Sequence, residues 1–227
     1  MPSRRPSLNI DLGELAGEPD ELYALADVAN VACGGHAGDA ASMIAAVATC
    51  ARHGTALCAH PSYPDRSGFG RVVMALEPAA LAASLRAQCE ALGATGGRIV
   101  AMKPHGALYH EAARSAVVAA AVLDGVLAAL GDVAIVGPDG GALEAAARAR
   151  GLDYWREGFA DRAYGSHGQL VPRGVPGAMI DDPTLAAAQA ERLAASGSFE
   201  TICVHGDGAN AVTVARMVRA ALDKLRS

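Results

Sequence analysis

Seven short apolar or β-branched runs, each followed by a longer stretch with apolar residues about 3.6 apart, constrain this fold more than any other feature of the chain. The runs are Leu8–Asp11, Val28–Cys33, Ala56–His60, Ile99–Lys103, Val133–Val136, Tyr154–Phe159 and Thr201–His205. The helical stretches are Asp20–Leu25, Ala40–His53, Pro78–Leu92, Glu111–Leu130, Gly141–Arg150, Pro183–Ala195 and Ala209–Leu225, most of them rich in alanine. Strands alternating with helices pair in parallel, because each helix carries the chain back across a sheet face before the next strand begins. The pattern predicts an α/β fold, a seven-stranded parallel (β/α) barrel; an open doubly wound sheet is the alternative that periodicity alone does not separate from it. Punctuation agrees: Glu77-Pro78 suits a helix start, and Gly54, Gly93, Gly131 and Gly151 stand where C-terminal caps are expected.

No linker or shift in composition divides the 227 residues, so residues 1–227 are expected to form a single β/α-barrel domain, with Gly165–Gly177 as one long loop. Hydrophobic residues make up 52% of the chain, enough for a substantial core, and the net charge of −5 without a basic block argues against a nucleic-acid partner. The five cysteines are widely spaced, with no C-x-x-C pair, which suits a reducing, cytoplasmic setting, and Cys33, Cys58 and Cys203, near strand ends, read as buried packing residues. Arg4-Arg5 looks briefly like an export signal. Asp11 and Glu14 then interrupt the apolar core such a signal needs, so no targeting segment is expected. The Ala-rich stretch Ala116–Val136 carries Asp124 and Asp132 and reads as a helix followed by a strand, not a membrane span.

The unusual polar residues gather at the C-terminal ends of the apolar runs. Asn9 and Asp11 end the first, His36 follows the second, His60 ends the third, and Lys103 and His105 close the fourth. Asp161 and Arg162 follow the sixth, and His205 and Asp207 close the seventh. In parallel α/β folds, sites assemble at that edge of the sheet. Asn9/Asp11, Lys103/His105 and His205/Asp207 are each two residues apart, so each pair shares one strand face. A single histidine near a strand end is ordinarily just hydrogen-bonded there. Four of the chain's seven at equivalent ends point to a common site, and Asp11, His36, His60, Lys103, His105, His205 and Asp207 are expected to line one hollow. Neither a Walker-type G-x-x-x-x-G-K-[ST] loop nor a G-x-S-x-G elbow occurs.

Taken together, N-I-D-L-G-E (Asn9–Glu14), A-N-V-A-C-G-G-H-A-G-D (Ala29–Asp39), A-H-P-S-Y-P-D-R-S-G-F-G-R (Ala59–Arg71), K-P-H-G-A-L-Y (Lys103–Tyr109), F-A-D-R-A-Y (Phe159–Tyr164), L-V-P-R (Leu170–Arg173) and T-I-C-V-H-G-D (Thr201–Asp207) resemble the family of 5-oxoprolinase A subunits, the lactam-utilisation LamB/YcsF family. The motifs run in order along nearly the whole chain. The chain departs from the family pattern at Gly35, where a bulky aromatic is usual, and in the shortened segments Glu14–Asp20 and Ser196–Glu200. The resemblance implies a barrel of the glycoside hydrolase/deacetylase type. It also implies ATP-dependent opening of the lactam 5-oxoproline to glutamate, together with 5-oxoprolinase subunits B and C.

An unstrained lactam is a poor electrophile, so phosphoryl transfer to its oxygen creates a leaving group and ATP becomes the co-substrate, held here or by a partner subunit. The chemistry needs a cation for developing charge, donors for an oxyanion and a base for water. The expected catalytic set is Asp11, His60, Lys103, His105 and Asp207: Lys103 for the anion, His105 or His60 as base, and the two aspartates orienting imidazoles or binding a divalent ion such as Mg²⁺. Asn9, Asn30, His36, Tyr109, Asp161, Arg162 and His205 are expected on the substrate side, with Arg71 and Arg162 as further anion contacts. Two rival readings are a metal-dependent deacetylase or amidohydrolase, with Asp11, His36, His60 and His205 as metal candidates, and a non-catalytic substrate-binding subunit.

Overall fold

The computed structural model describes residues 5–226, so Arg4 of the Arg4-Arg5 pair lies outside the described residues. The elements run β1 (Ser7–Leu12), α1 (Asp20–Leu25), β2 (Val28–Ala32), α2 (Ala40–His53), β3 (Ala56–His60), α3 (Pro78–Gly93), β4 (Ile99–Met102) and α4 (Gly106–Arg114). They continue with α5 (Ala116–Leu130), β5 (Ala134–Gly137), α6 (Ala142–Ala149), β6 (Tyr154–Phe159), α7 (Pro183–Ala195), β7 (Thr201–His205), α8 (Ala211–Asp223) and a last 3₁₀ turn, Lys224–Arg226. All seven strands pair in parallel in sequence order, and β1 pairs with β7 from Ser7↔Thr201 to Asp11↔His205. That pairing closes the barrel and excludes the open sheet.

Alternation along the strands divides the interior in two. Leu8, Ile10 and Leu12 of β1, Ala29 and Val31 of β2 and Ile202 and Val204 of β7 join the apolar layer beneath the helices. The other face supplies a separate apolar plug of Val28, Cys58, Ala101, Ala134 and Val136, with Trp155 against it. Each fully buried aliphatic side chain contributes roughly 1.5–3 kcal/mol. Toward the C-terminal ends the same inward face turns polar, with Asn9, Asp11, Asn30, His60, Lys103 and Glu157 all buried. Buried polar groups are costly unless paired, so this layer has to satisfy itself internally.

Local chemistry sets the element ends. Asp39 caps α2 through a reciprocal capping box with Ser42, Pro78 opens α3, and Gly54, Gly131 and Gly151 adopt positive φ past helix ends. Two expectations need correction. Glu111–Leu130 is not one helix: Ser115 is extended, ends α4, and accepts a hydrogen bond from Val118 N to start α5, as serine does at an N-cap. Gly93 is not a cap either: it is the last residue of α3, Ala94 is the cap, and the left-handed turn comes at Gly96. Gly125, in the middle of α5, has a packing reason: a Cβ there would sit within 2.3 Å of the Ala82 carbonyl oxygen on α3. Among the described residues no helix is long and apolar enough to cross a membrane.

One ion-pair cluster ties the N-terminal rim together. Asp27, just before β2, accepts from Leu8 N at 2.8 Å and pairs with Arg5 and with Arg219 of α8, each at 3.0 Å. Partial burial pushes the Asp27 carboxyl up, but Arg5, the Leu8 amide and Arg219 outweigh it and hold the group below the ordinary carboxylate range. A folded-state pKa below the unfolded value means stability that is present above pH about 4 and lost as pH falls from there. Urea midpoints measured from pH 6 downward are expected to fall less steeply for Asp27→Asn than for the wild type, with the two curves converging at the acid end. Parallel curves would show that Asp27 does not carry this linkage.

Candidate functional site

The site is built outward from Lys103, which follows β4. Its ammonium donates to Asp11 Oδ1 at 2.8 Å and lies 2.9 Å from Glu157 Oε1 of β6 and 3.1 Å from Cys203 Sγ of β7. Burial works against a charged lysine, but Asp11, Cys203 and Glu157 outweigh it and hold the ammonium well above its usual range. The same contacts act on Asp11: burial raises its pKa, while Lys103, His60 and His205 draw it well below the usual value. Asn30 of β2 steadies the arrangement by donating to both Asn9 Oδ1 and Asp11 Oδ1, at 2.6 and 2.7 Å, and Asn9 in turn donates to Thr201 Oγ1 at 2.8 Å.

Three imidazoles lie over one side of this floor. His60 Nδ1 is 2.8 Å from the Lys103 carbonyl oxygen, His105 Nε2 is 2.9 Å from the Phe69 carbonyl oxygen, and His60 Nε2 faces His105 Nδ1 at 3.0 Å. His36 stacks on His105 with ring centroids 3.6 Å apart. Burial and His60 push His36 down to about 2, so it is neutral at ordinary pH. Glu14 reaches into the same cluster, its Oε1 3.0 Å from His36 Nε2 and 3.4 Å from His105 Nδ1. Burial, with Asp11, Asp207 and Glu18 nearby, raises the Glu14 carboxyl well above the usual range. Glu14 is presented by a short loop that Glu18 organises, accepting from the Gly13, Glu14 and Leu15 amides and from Tyr23.

On the opposite side, His205 Nδ1 donates to Asp161, the closer oxygen at 2.9 Å, and its ring stacks near Phe159. His205 and the Arg173 charge outweigh burial and hold Asp161 below the ordinary range, so it is a carboxylate that fixes the histidine tautomer. His205 Nε2 is left facing Asp11 Oδ2 at 3.8 Å.

A cavity of about 370 Å³ opens above these groups, with Asp11, His60, Lys103, His105 and His205 in its lining and Arg71, Arg114, Arg162 and Arg173 around it. The loop after β3 crosses beside it at Gly70 (φ +64), where a Cβ would come within 2.9–3.2 Å of His36, His105 and Ser62. Gly70 carbonyl accepts from Ala107 N at 2.9 Å, which fixes that loop to the start of α4.

The common hollow anticipated at the strand ends therefore forms around Asp11, His60, Lys103, His105 and His205, while other expected residues fall elsewhere. Asn9, Asn30, His36 and Asp161 do not line the cavity and support the groups that do. Tyr109 and Arg162 line it. Asp207 orients no imidazole: it pairs with Arg71 at 2.9 Å and Arg173 at 3.3 Å at the mouth. The metal candidates Asp11, His36, His60 and His205 do not form one set. The ligand atoms group instead as Glu14, His36, His60 and His105, and as Asp11, Cys203 and His205, each within 4.8 Å.

Glu14, Glu157 and Cys203 escaped the sequence reading, together with the rim arginines Arg114 and Arg173. Period two was a sufficient signal for two of them, since Glu157 stands two residues before Phe159 and Cys203 two before His205, on the inward face.

The LamB/YcsF family model matches residues 7–226. The A subunit of a 5-oxoprolinase from Methylococcus capsulatus is 43% identical over 238 residues, spanning 96% of this chain and 92% of that protein. The crystal structure of a lactam utilization protein from Thermus thermophilus is similar with a TM-score of 0.88 at 38% identity, covering 97% of each chain. A family 4 carbohydrate esterase from Streptomyces lividans shares the fold at a TM-score of 0.57 and 13% identity, covering 97% of this chain and 88% of that one.

Removing the central cation should expose the cost of the floor. Lys103→Met leaves Asp11 and Glu157 buried and facing each other, and a loss of about 3–5 kcal/mol is expected from urea unfolding, partly restored in Lys103→Met/Glu157→Gln. An unchanged urea midpoint for the single variant would show that the carboxylates do not depend on the lysine.

Proposed function

The chain belongs to the LamB/YcsF family, and we propose that it is the lactam-opening subunit of a 5-oxoprolinase, working with subunits B and C to convert 5-oxoproline, ATP and two waters to glutamate, ADP and phosphate. The observation that carries this reading is the charge of the cavity, where a histidine held by a carboxylate faces a small space bordered by four arginines. That combination suits a small anionic amide. The names of the similar proteins, the A subunit of a 5-oxoprolinase and a lactam utilization protein, favour a hydrolase acting on a lactam.

In this reading the parts divide as follows. Arg71 and Arg173 hold the substrate carboxylate or the phosphoryl oxygens, since Arg suits planar, bidentate anions and both stand at the mouth. Lys103, expected from the sequence to bind the anion, has its charge engaged by Asp11 and Glu157 and instead sets the electrostatics of the floor. His205 Nε2 accepts the proton of the attacking water, with Asp161 holding its ring. That role was expected of His60 or His105, whose inner nitrogens face each other. Phosphoryl transfer from ATP to the amide oxygen releases ADP and makes the carbon attackable; the water oxygen bonds to that carbon, the C–N bond breaks with nitrogen leaving as the amine after taking the proton held by His205, and a second water cleaves the resulting acyl phosphate to glutamate and phosphate. Subunits B and C supply or present ATP, and the five unpaired, buried cysteines suit a cytoplasmic setting.

The test is glutamate release from 5-oxoproline with ATP, comparing the chain alone with the chain plus its presumed partners. Product is expected in the mixture only. In the mixture, His205→Asn should lower kcat about 10²–10⁴-fold, whereas Arg173→Met should act mainly on KM. Lactam or N-acetyl turnover by the lone chain without ATP, abolished by chelator, would replace this reading with a metal-dependent amidohydrolase. Unchanged kcat in the His205 variant, with KM still raised in the Arg173 variant, would reduce the chain to a binding subunit.

A further inference from the structure

Two of the three clustered imidazoles have their protons assigned from outside the cluster. A backbone carbonyl only accepts, so His60 Nδ1 must carry hydrogen to meet the Lys103 carbonyl, and His105 Nε2 must carry hydrogen to meet the Phe69 carbonyl. With those protons fixed, the remaining nitrogens, His60 Nε2 and His105 Nδ1, face each other at 3.0 Å, each with its lone pair inward wherever no second proton is bound. Nothing holds two lone pairs at that distance unless a positive charge lies between them. Glu14 Oε1 converges on the same point, 3.4 Å from His105 Nδ1 and 4.0 Å from His60 Nε2, and His36 Nε2 stands 3.0 Å from Glu14 Oε1.

We propose that Glu14, His36, His60 and His105 form a binding site for one divalent transition-metal ion, with Zn²⁺ or Co²⁺ the fitting class. The edges of a tetrahedron with ligand bonds of about 2.0–2.1 Å are about 3.3 Å long; four of the six separations, 3.0, 3.0, 3.4 and 4.0 Å, scatter around that value, and all six lie within 4.8 Å. The outer contacts of His60 and His105 to backbone carbonyls are the support that metal-bound histidines commonly have. Three imidazoles and one carboxylate suit Zn²⁺ or Co²⁺, whereas Mg²⁺ prefers an oxygen shell, so the Mg²⁺ expected from the sequence belongs with ATP and not here. The second group, Asp11, Cys203 and His205, is a poorer host, because the Lys103 ammonium already lies 2.8 Å from Asp11 and 3.1 Å from Cys203. His60 and His105 also line the cavity, so the ion would stand at its wall, where it supplies Lewis acidity.

The proposal stands on geometry and is independent of the reaction assigned above, so its test reads ion uptake without turnover. The full-length protein, stripped with chelator and shown folded by circular dichroism, is titrated with Co²⁺ and followed by visible absorption, and with Zn²⁺ by calorimetry. One equivalent of each ion per chain is expected, with the intense visible bands of four- or five-coordinate Co²⁺ and a raised melting temperature. Glu14→Gln should weaken affinity at least tenfold and shift the Co²⁺ bands, while Asp124→Asn, on α5 and paired with Arg150 outside the cluster, should leave both unchanged. Failure of the folded wild type to take up an equivalent of either ion would overturn the proposal and leave a shared proton between His60 and His105. Uptake that is unchanged in Glu14→Gln and in His36→Ala would overturn it too, by locating the ion elsewhere.

Discussion

A lysine charge at the centre of a barrel is the constraint from which the rest of this structure follows. Desolvating an ammonium costs several kcal/mol unless partners recover it, and Lys103 recovers it from Asp11 and Glu157, carried by β1 and β6. Those strands are not neighbours, so the contacts exist only once the barrel has closed. Asp11 cannot serve the lysine unless β1 is held in register, and Asn9, Asn30 and Thr201 do that from three strands. The apolar plug below and the polar layer above are therefore two halves of one arrangement. Small residues at the bottom let the strands close, and the charges at the top make the closed form specific.

The architecture was legible because seven strand runs and the intervening apolar spacing repeat without interruption, and every one of those runs overlaps a strand of the barrel. What escaped had local causes. Ser115 stops one helix and starts another inside a continuous apolar stretch, so periodicity ran straight through it while capping chemistry did not. Gly93 does end α3, but as its last residue: Ala94 is the cap, and the left-handed turn falls three residues on at Gly96. Seven-strand closure itself could not be read from spacing, since pairing of β1 with β7 joins segments at opposite ends of the chain.

The site was legible in part, for a different physical reason. Strand-end position identified Asp11, His60, Lys103, His105 and His205, because in a parallel sheet all strand ends face the same rim. It could not rank them. Which histidine keeps a free nitrogen depends on carbonyls and carboxylates contributed by other elements: Asp161 for His205, the Lys103 carbonyl for His60 and the Phe69 carbonyl for His105. Glu14 lies past the end of β1, out of strand periodicity, and only the loop organised by Glu18 turns it back toward the imidazoles.

Asp207 at the mouth has a bearing on how the cavity behaves between encounters. It sits between Arg71 and Arg173, which come from two different loops, and gives both guanidinium groups an internal counter-anion. On the proposed function, an arriving carboxylate or phosphoryl group would exchange with this resident charge instead of meeting bare cations. The same resident charge keeps the two guanidinium groups from presenting a bare cationic patch at the entrance.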